Sequence, residues 1–345
     1  MTTPVVKPYS DEYRSAWTDF VTSNPTATVC HEIGWREVMH SALGHVPIYL
    51  LATDGARVTG VLPLFHVTTW WRARYLVSIP WLDYGGVCAE DRATAEALLQ
   101  EADRVARQSG ARFVEMRSVT AVSATLPQAD NRVTFQLKLN PDPDQIWTSF
   151  GPKLRNQVRK SEKSGLTTEI GGVEKLDQFY KVFCRNMRDL GTPVWGKQLF
   201  LEVLSQFPHT ARIILVKQES RTVAGGLILK FKKSLYVPSA SAYRESLPLC
   251  PNHALYWRVI SEGCRDGCEI FDFGRSAIDS NTFKFKKQWV PEPTQLHWQY
   301  LLNTVESIPA INPRNPKYRM FINTWQRLPL ALANLLGPRV IKNFP

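Results

Sequence analysis

The order of secondary-structure signals in this chain is written twice. Residues Ile48 to Phe65, IYLLATDGARVTGVLPLF, read as a strand, a turn at Asp54-Gly55 and a second strand, the pattern of a β-hairpin. A second hairpin, IILVKQESRTVAGGLILKF from Ile213 to Phe231, lies over it without a gap. Ile48 falls on Ile213, Val58 on Val223 and Gly60 on Gly225. The same shift lays the helical patterns Asp11–Val21 and Gly34–Leu43 over Leu176–Cys184 and Lys197–Gln206. After each hairpin comes an apolar strand, Tyr75–Trp81 or Leu235–Ala242, then a helix, Ala93–Gln108 or His253–Arg265. Each half closes on a glycine and a strand, with Gly267 matching Gly110 and Phe271 matching Val114. Two hairpins can look alike by chance, but agreement in element order, glycine position and strand pattern argues duplication. The expected fold is α/β, with mixed sheets flanked by helices in two similar units, 1–140 and 141–308. A helical tail, 309–345, follows.

Composition narrows the function classes. A chain of 345 residues suits two cores, and 44% hydrophobic residues is globular. No apolar run reaches the roughly 18 residues of a membrane span. MTTPVVKPYSDEYRS lacks an apolar leader segment, so the expected compartment is the cytoplasm, with the inner membrane face as a peripheral option. The six cysteines form no C-x-x-C pair and the histidines no metal-binding spacing, so reduced thiols and no metal are expected. The chain carries no G-x-S-x-G, G-x-x-x-x-G-K-[ST] or G-x-G-x-x-G, which removes the usual hydrolase, P-loop and dinucleotide readings. A net charge of +11 points to a phosphate-bearing or anionic partner.

Two stretches concentrate chemistry. GCEIFDFGRSAIDSNTFKFKKQW, Gly267 to Trp289, runs from a short buried strand holding Asp272, through a turn, into an aromatic and basic cluster. The plain reading is packed aromatics and solvated lysines; the functional one is a site for an anionic group. IWTSFGPKLRNQVRKSEKSGL, Ile146 to Leu166, reads as one helix in which Lys153, Arg155, Arg159, Lys160 and Lys163 face a single acid, Glu162. That charge run is either a solvated face or a ridge that grips phosphates in a cleft between the units. The tail from Ile311 contributes Arg314, Lys317, Arg319, Arg327, Arg339 and Lys342 and no acid. It either packs on the body or, with Trp325, docks on an anionic membrane.

The duplicated order resembles tandem acyltransferase units of the GNAT type. KLRNQVRKSEKSGL, FDFGRS and TFKFKKQW further resemble the FemAB family of peptidoglycan-bridge aminoacyltransferases. With the tail WQRLPLALANLLGP, the likeness is to FemAB-like proteins of PEP-CTERM/exosortase and exopolysaccharide systems. The resemblance implies transfer of an acyl or aminoacyl group to an amine of a cell-envelope glycan or its anionic precursor. The family's Phe-Lys pair falls on Phe285 and Lys286, making Lys286 the catalytic candidate that holds charge against an oxyanion, with Phe285 at the substrate. Asp272 is a candidate proton acceptor and Arg275 an anion contact. Because Asp272 and Glu115 match between the repeats, pairing with a basic neighbour is the alternative for both. IPWLDYGG keeps only Asp83 and Tyr84 of the family's precursor-binding pattern, and Gly85-Gly86 either turn backbone N–H groups towards an anion or are simply part of a turn into the next helix.

No tightly bound cofactor is implied; the donor is a co-substrate, aminoacyl-tRNA or acyl-CoA. The place of the glycine-rich pyrophosphate loop is taken by YRESLPLCPNHAL, which has no glycine and disfavours ordinary acyl-CoA binding. Tyr243, opening that segment, is a substrate-binding candidate together with Lys153, Arg155, Arg159 and Lys160. The expected partners are therefore the envelope precursor and charged tRNA, with membrane contact through the tail and no DNA. An acyl-CoA N-acyltransferase and a non-catalytic interaction module are the competing readings.

Overall fold

The computed structural model describes residues 4–308 and 316–344. The first unit comprises residues 1–132, 295–310 and 343–345, and the second residues 133–294 and 311–342.

In the first unit the hairpin pattern becomes β2 (Val46–Asp54) and β3 (Arg57–Thr68), preceded by β1 (Val5–Pro8), α1 (Arg14–Ser23) and α2 (Trp35–Leu43). β4 (Arg74–Ser78), α3 (Arg92–Ser109) and β5 (Phe113–Ser118) follow. Asp91 caps α3 by accepting from the Thr94 N–H, and Gly110 ends it in the left-handed conformation that glycine adopts without cost. β4 and β5 pair in parallel, Leu76 opposite Val114, while the other neighbours run antiparallel. Leu50, Leu62, Leu64, Leu98, Ala102 and Val114 form the core between sheet and α3.

The second unit repeats the plan. It holds β6 (Gln136–Lys138), α4 (Pro143–Ser149), α5 (Pro152–Lys163), β7 (Leu166–Gly171), α6 (Leu176–Asp189) and α7 (Lys197–Gln206). Next come β8 (Ala211–Gln218), β9 (Arg221–Phe231), β10 (Ser234–Ala242), α8 (Pro251–Arg265), β11 (Ile270–Asp272) and α9 (Asn281–Lys286). The sheet order is β7-β8-β9-β10-β11-β6, and again one pair is parallel, β10 with β11. The fold is the duplicated α/β architecture that the sequence predicts. The stretch Ile146–Leu166 departs from expectation, since it is broken into α4 and α5. Pro152 disfavours helical backbone at the residue before it, and Gly151 is accordingly extended, with ψ 154°.

β12 (His297–Leu302) is the half-buried strand expected from alternating Leu296, Trp298 and Tyr300. It pairs antiparallel with β5, Leu302 opposite Phe113, inside the first unit's sheet. α10 (Pro316–Arg327) and α11 (Leu330–Ile341) pack on α6. Trp325 is buried there, stacked on Phe321, so the residue expected to anchor the tail in a membrane is part of the unit's packing. Arg314 and the side chain of Lys317 lie outside the described residues. No helix among the described residues is long and apolar enough to cross a membrane. All six cysteines are buried and unpaired to one another.

Candidate functional site

In the second unit the parallel strands β10 and β11 stay together only from Ser234–Ile270 to Tyr236–Asp272. Past that pair, the Phe273 N–H donates to the Phe135 carbonyl at 3.0 Å, and the chain follows the β6 side. β10 runs on to Ala242, paired only with β9. Pro238 sits where this pairing slips between Leu227 and Leu229, at a bulge where a residue without an N–H is tolerated. The strands therefore splay, and the free edge of β10 faces a wedge. Backbone groups on such an edge can bind an extended, amide-containing ligand.

The loop at the mouth of this wedge is held by the two candidate catalytic residues. Asp272 is buried, accepting from Thr134 Oγ1 at 2.8 Å, Gln136 Nε2 at 2.8 Å and the Gly274 N–H at 2.7 Å. Gly274 has φ 73°, a left-handed turn that lets its N–H fold back onto Asp272 while its carbonyl faces α9. Lys286 is buried at 6% exposure, and its Nζ donates to the Gly274 carbonyl at 2.7 Å and the Arg275 carbonyl at 2.9 Å. Carboxylate, loop and ammonium thus form one hydrogen-bonded clamp. Arg275 lies on the clamped loop and is half-buried.

α9 explains why one lysine among three is inside. Ser280 caps it, accepting from the Phe283 N–H at 3.1 Å, and residues three apart then share a face. Phe283, Lys286 and Trp289 turn inwards to varying depths, while Lys284 and Lys287 are exposed. Phe285 is half-buried among rings, 5.1 Å from His253, 5.4 Å from Tyr256 and 6.3 Å from Trp289. Burial in this aromatic surrounding pushes the His253 imidazole down to about 4. An unfolded chain takes up that proton near pH 6.5, so stability is complete above 6.5 and is lost as pH falls towards 4. The loss amounts to at most about 3 kcal/mol. His253→Phe is expected to flatten the fall in melting temperature across this window; an unchanged slope would assign the acid limb to other groups.

α8 begins at Cys250, whose φ of 62° is the left-handed turn usually supplied by glycine, followed by Pro251 at the first helical position. The left-handed turn into α8 is therefore made without a glycine. The Cys250 thiol donates to Gln157 Oε1 of α5 at 2.7 Å, and burial raises its pKa. Along α5, Leu154, Val158 and Ser161 are buried, whereas Lys153, Arg159, Lys160 and Lys163 are exposed and Arg155 is half-buried. Asn156, Arg159, Lys160, Lys163 and Ser164 line an open depression of about 290 Å³. The Arg159 guanidinium lies 5.4 Å from the Trp147 ring, which steadies that member of the ridge. Tyr243 stands elsewhere, between Arg185 at 5.0 Å and Arg221 at 5.3 Å, both bridged to Glu245.

In the first unit, Asp83 and Tyr84 are both buried. Their loop is strained, with Ile79 at φ 51° and Trp81 at φ 73°. The Gly86 N–H donates to the Arg117 carbonyl at 2.7 Å, so it does not face an anion as expected. The glycine is required by packing, since a Cβ there would lie 1.8 Å from Ser118 Oγ. Arg117, 1% exposed, donates to Glu115 Oε1 at 2.7 Å and to the Leu82 carbonyl at 2.8 Å, below the ring of Trp298. Glu115 also accepts from the Tyr300 hydroxyl at 2.9 Å. The matched acids thus steady different loops: Glu115, through Arg117, the one after β4, and Asp272 the one after its own strand β11. Arg117 was not among the residues singled out from sequence; a basic residue two positions after a strand acid is too common a signal.

Residues 150–287 match the Acetyltransferase (GNAT) domain family. The second unit holds a GNAT acetyltransferase domain. Its enzyme class is acyltransferase. Among solved structures, FemX aligns at a TM-score of 0.65 and 14% identity, over 92% of this chain and 100% of that one. L-PGS from Bacillus licheniformis aligns at 0.56 and 14% identity, over 93% and 99%. A tandem GNAT protein from the clavulanic acid biosynthesis pathway aligns at 0.51 and 11% identity, over 86% and 97%. These identities establish likeness of fold. No curated protein matches the chain.

Proposed function

We propose that the chain is a FemAB-type transferase that moves an acyl or aminoacyl group onto an amine of a cell-envelope glycan or its anionic precursor. The observation that carries this reading is the clamped loop where the chain leaves the β10–β11 pair, held by a buried lysine through the Gly274 and Arg275 carbonyls. A carbonyl held in the wedge would develop negative charge as the amine attacks, and the Lys286 ammonium would stabilise it electrostatically. Arg275, on the clamped loop, would contact an anionic part of the substrate. Asp272 is better suited to orient the loop than to accept a proton, because its oxygens already take three hydrogen bonds. The exposed ridge Lys153–Lys163 would bind phosphates of the donor or precursor. A PEP-CTERM or exopolysaccharide setting and a place at the cytoplasmic membrane face belong to the same reading.

Acyl-CoA as donor is the second reading, favoured by the left-handed Cys250 turn at the start of α8. Thermal shifts separate the two. An acyl-CoA at 100 times its dissociation constant is expected to add about 2.7 kcal/mol of stability if it is the donor. If aminoacyl-tRNA is the donor, no CoA shifts the melting temperature and binding of charged tRNA falls steeply with salt. Neutralising Arg155 and Arg159 to Gln then lowers the slope of log K against log salt by roughly 1.4–1.8. An unchanged slope would make the ridge a solvated face.

A further inference from the structure

The end of the first unit's sheet displays a cluster that the transfer chemistry does not use. Between β3 and β4 the chain turns through Thr69–Ala73, and Trp70 and Trp71 at the tip are 59% and 55% exposed. Such exposure of two adjacent tryptophans is unusual, because large aromatics are ordinarily buried at least in part. It is not the product of a loose loop. The Thr69 N–H donates to the Ala73 carbonyl at 2.9 Å, the Arg72 N–H to the Thr69 carbonyl at 2.9 Å, and the Ala73 N–H to Thr69 Oγ1 at 2.9 Å. Arg72 takes a left-handed φ of 60° to complete the turn.

Asn343 and Phe344 reinforce the tip. Asn343, buried, accepts at Oδ1 from the Trp70 N–H at 3.0 Å and at its carbonyl from the Tyr75 hydroxyl at 2.6 Å. That fixes Phe344 beside Trp71, ring centroids 5.6 Å apart, and Phe344 too is exposed. Arg72 in the turn and Arg74 just after it are exposed, the Arg74 guanidinium reaching the Ser109 carbonyl at 3.5 Å, and exposed Arg112 is tied to the same sheet end by its N–H on the Arg74 carbonyl at 2.8 Å.

We propose that this tip docks on the surface of an anionic lipid bilayer, with Trp70, Trp71 and Phe344 entering the headgroup layer and Arg72, Arg74 and Arg112 meeting lipid phosphates. Tryptophan is suited to that layer because it offers an apolar ring and one N–H donor, and arginine adds attraction to negative headgroups. Three half-exposed aromatics offer about 300 Å², well short of the roughly 800 Å² per partner of a stable protein interface, which argues against a second copy as occupant. The proposal stands apart from the transfer reaction and from the tail: it places membrane contact on a different surface, in the first unit.

Flotation with vesicles of equal parts phosphatidylglycerol and phosphatidylcholine tests it. The wild-type chain is expected to float with these vesicles and to bind vesicles of pure phosphatidylcholine far less. W70S/W71S, with an unchanged melting temperature, is expected to lose at least about tenfold in binding. Each of R72Q and R74Q should cost about fivefold, whereas R319Q/R327Q in the tail should bind as wild type. Wild type that ignores anionic vesicles, a tryptophan double variant that binds unchanged, or loss confined to the tail variant would each overturn the proposal. So would W70S/W71S converting a dimer to a monomer, since the patch would then be a protein interface.

Discussion

Lys286→Met is expected to slow transfer by about 10²-fold or more and to lower the stability of the second unit by about 3 kcal/mol. Methionine keeps the unbranched stem packed beside the aromatic cluster, so the change isolates the charge. Removing the ammonium leaves the Gly274 and Arg275 carbonyls without their donor in a buried place, and hydrogen bonds to a charged group contribute about 1.5–3 kcal/mol each. Against this stands relief from burying a charge, which is why the net figure lies at the lower end of the sum. Denaturant melts give the stability change, and the rate is measured where near-ultraviolet circular dichroism shows the variant folded. A folded variant with wild-type rate would leave Lys286 as a loop anchor alone.

Arg117→Ala is expected to cost the first unit about 3–5 kcal/mol. The side chain is 1% exposed, ion-paired to Glu115, bonded to the Leu82 carbonyl and stacked under Trp298. Its removal leaves Glu115, whose side chain is 13% exposed, with only the Tyr300 hydroxyl among these partners, and it frees a loop that is already strained at Ile79 and Trp81. A partly buried carboxylate deprived of its cation is the costly half of such a pair. The same melts read the effect; a loss below about 1 kcal/mol would mean that the pair is no better than an exposed one.

Most of the framework can be read from the residues. Alternation and the Asp54-Gly55 turn mark the first hairpin, and its unshifted copy marks the second, because strand period and turn chemistry are local properties. The basic ridge of α5 is exposed as its spacing suggests. The break at Gly151-Pro152 was also readable, since proline restrains the residue before it, but the basic run on either side reads as one helix. Lys286 is harder. Between Lys284 and Lys287 it looks solvated, and only the three-residue spacing from Phe283 to Lys286 to Trp289 hints that it lies on the inward face. Nothing local places β12 in the first unit's sheet, because alternation specifies a strand and not its partner. The exposed Trp70-Trp71 tip is likewise invisible, since two tryptophans after an apolar strand read as its continuation. The left-handed turns at Cys250, Ile79 and Trp81 depend on tertiary packing that overrides residue preference.

The proposed activity is tested most directly by mass spectrometry of envelope glycans and their precursors from a strain lacking this protein and from the same strain carrying it again. The account predicts that one acyl or aminoacyl mass increment disappears from an amine-bearing sugar or peptide and returns with the wild-type chain. Identical spectra from the two strains, under conditions in which the protein is produced, would contradict it.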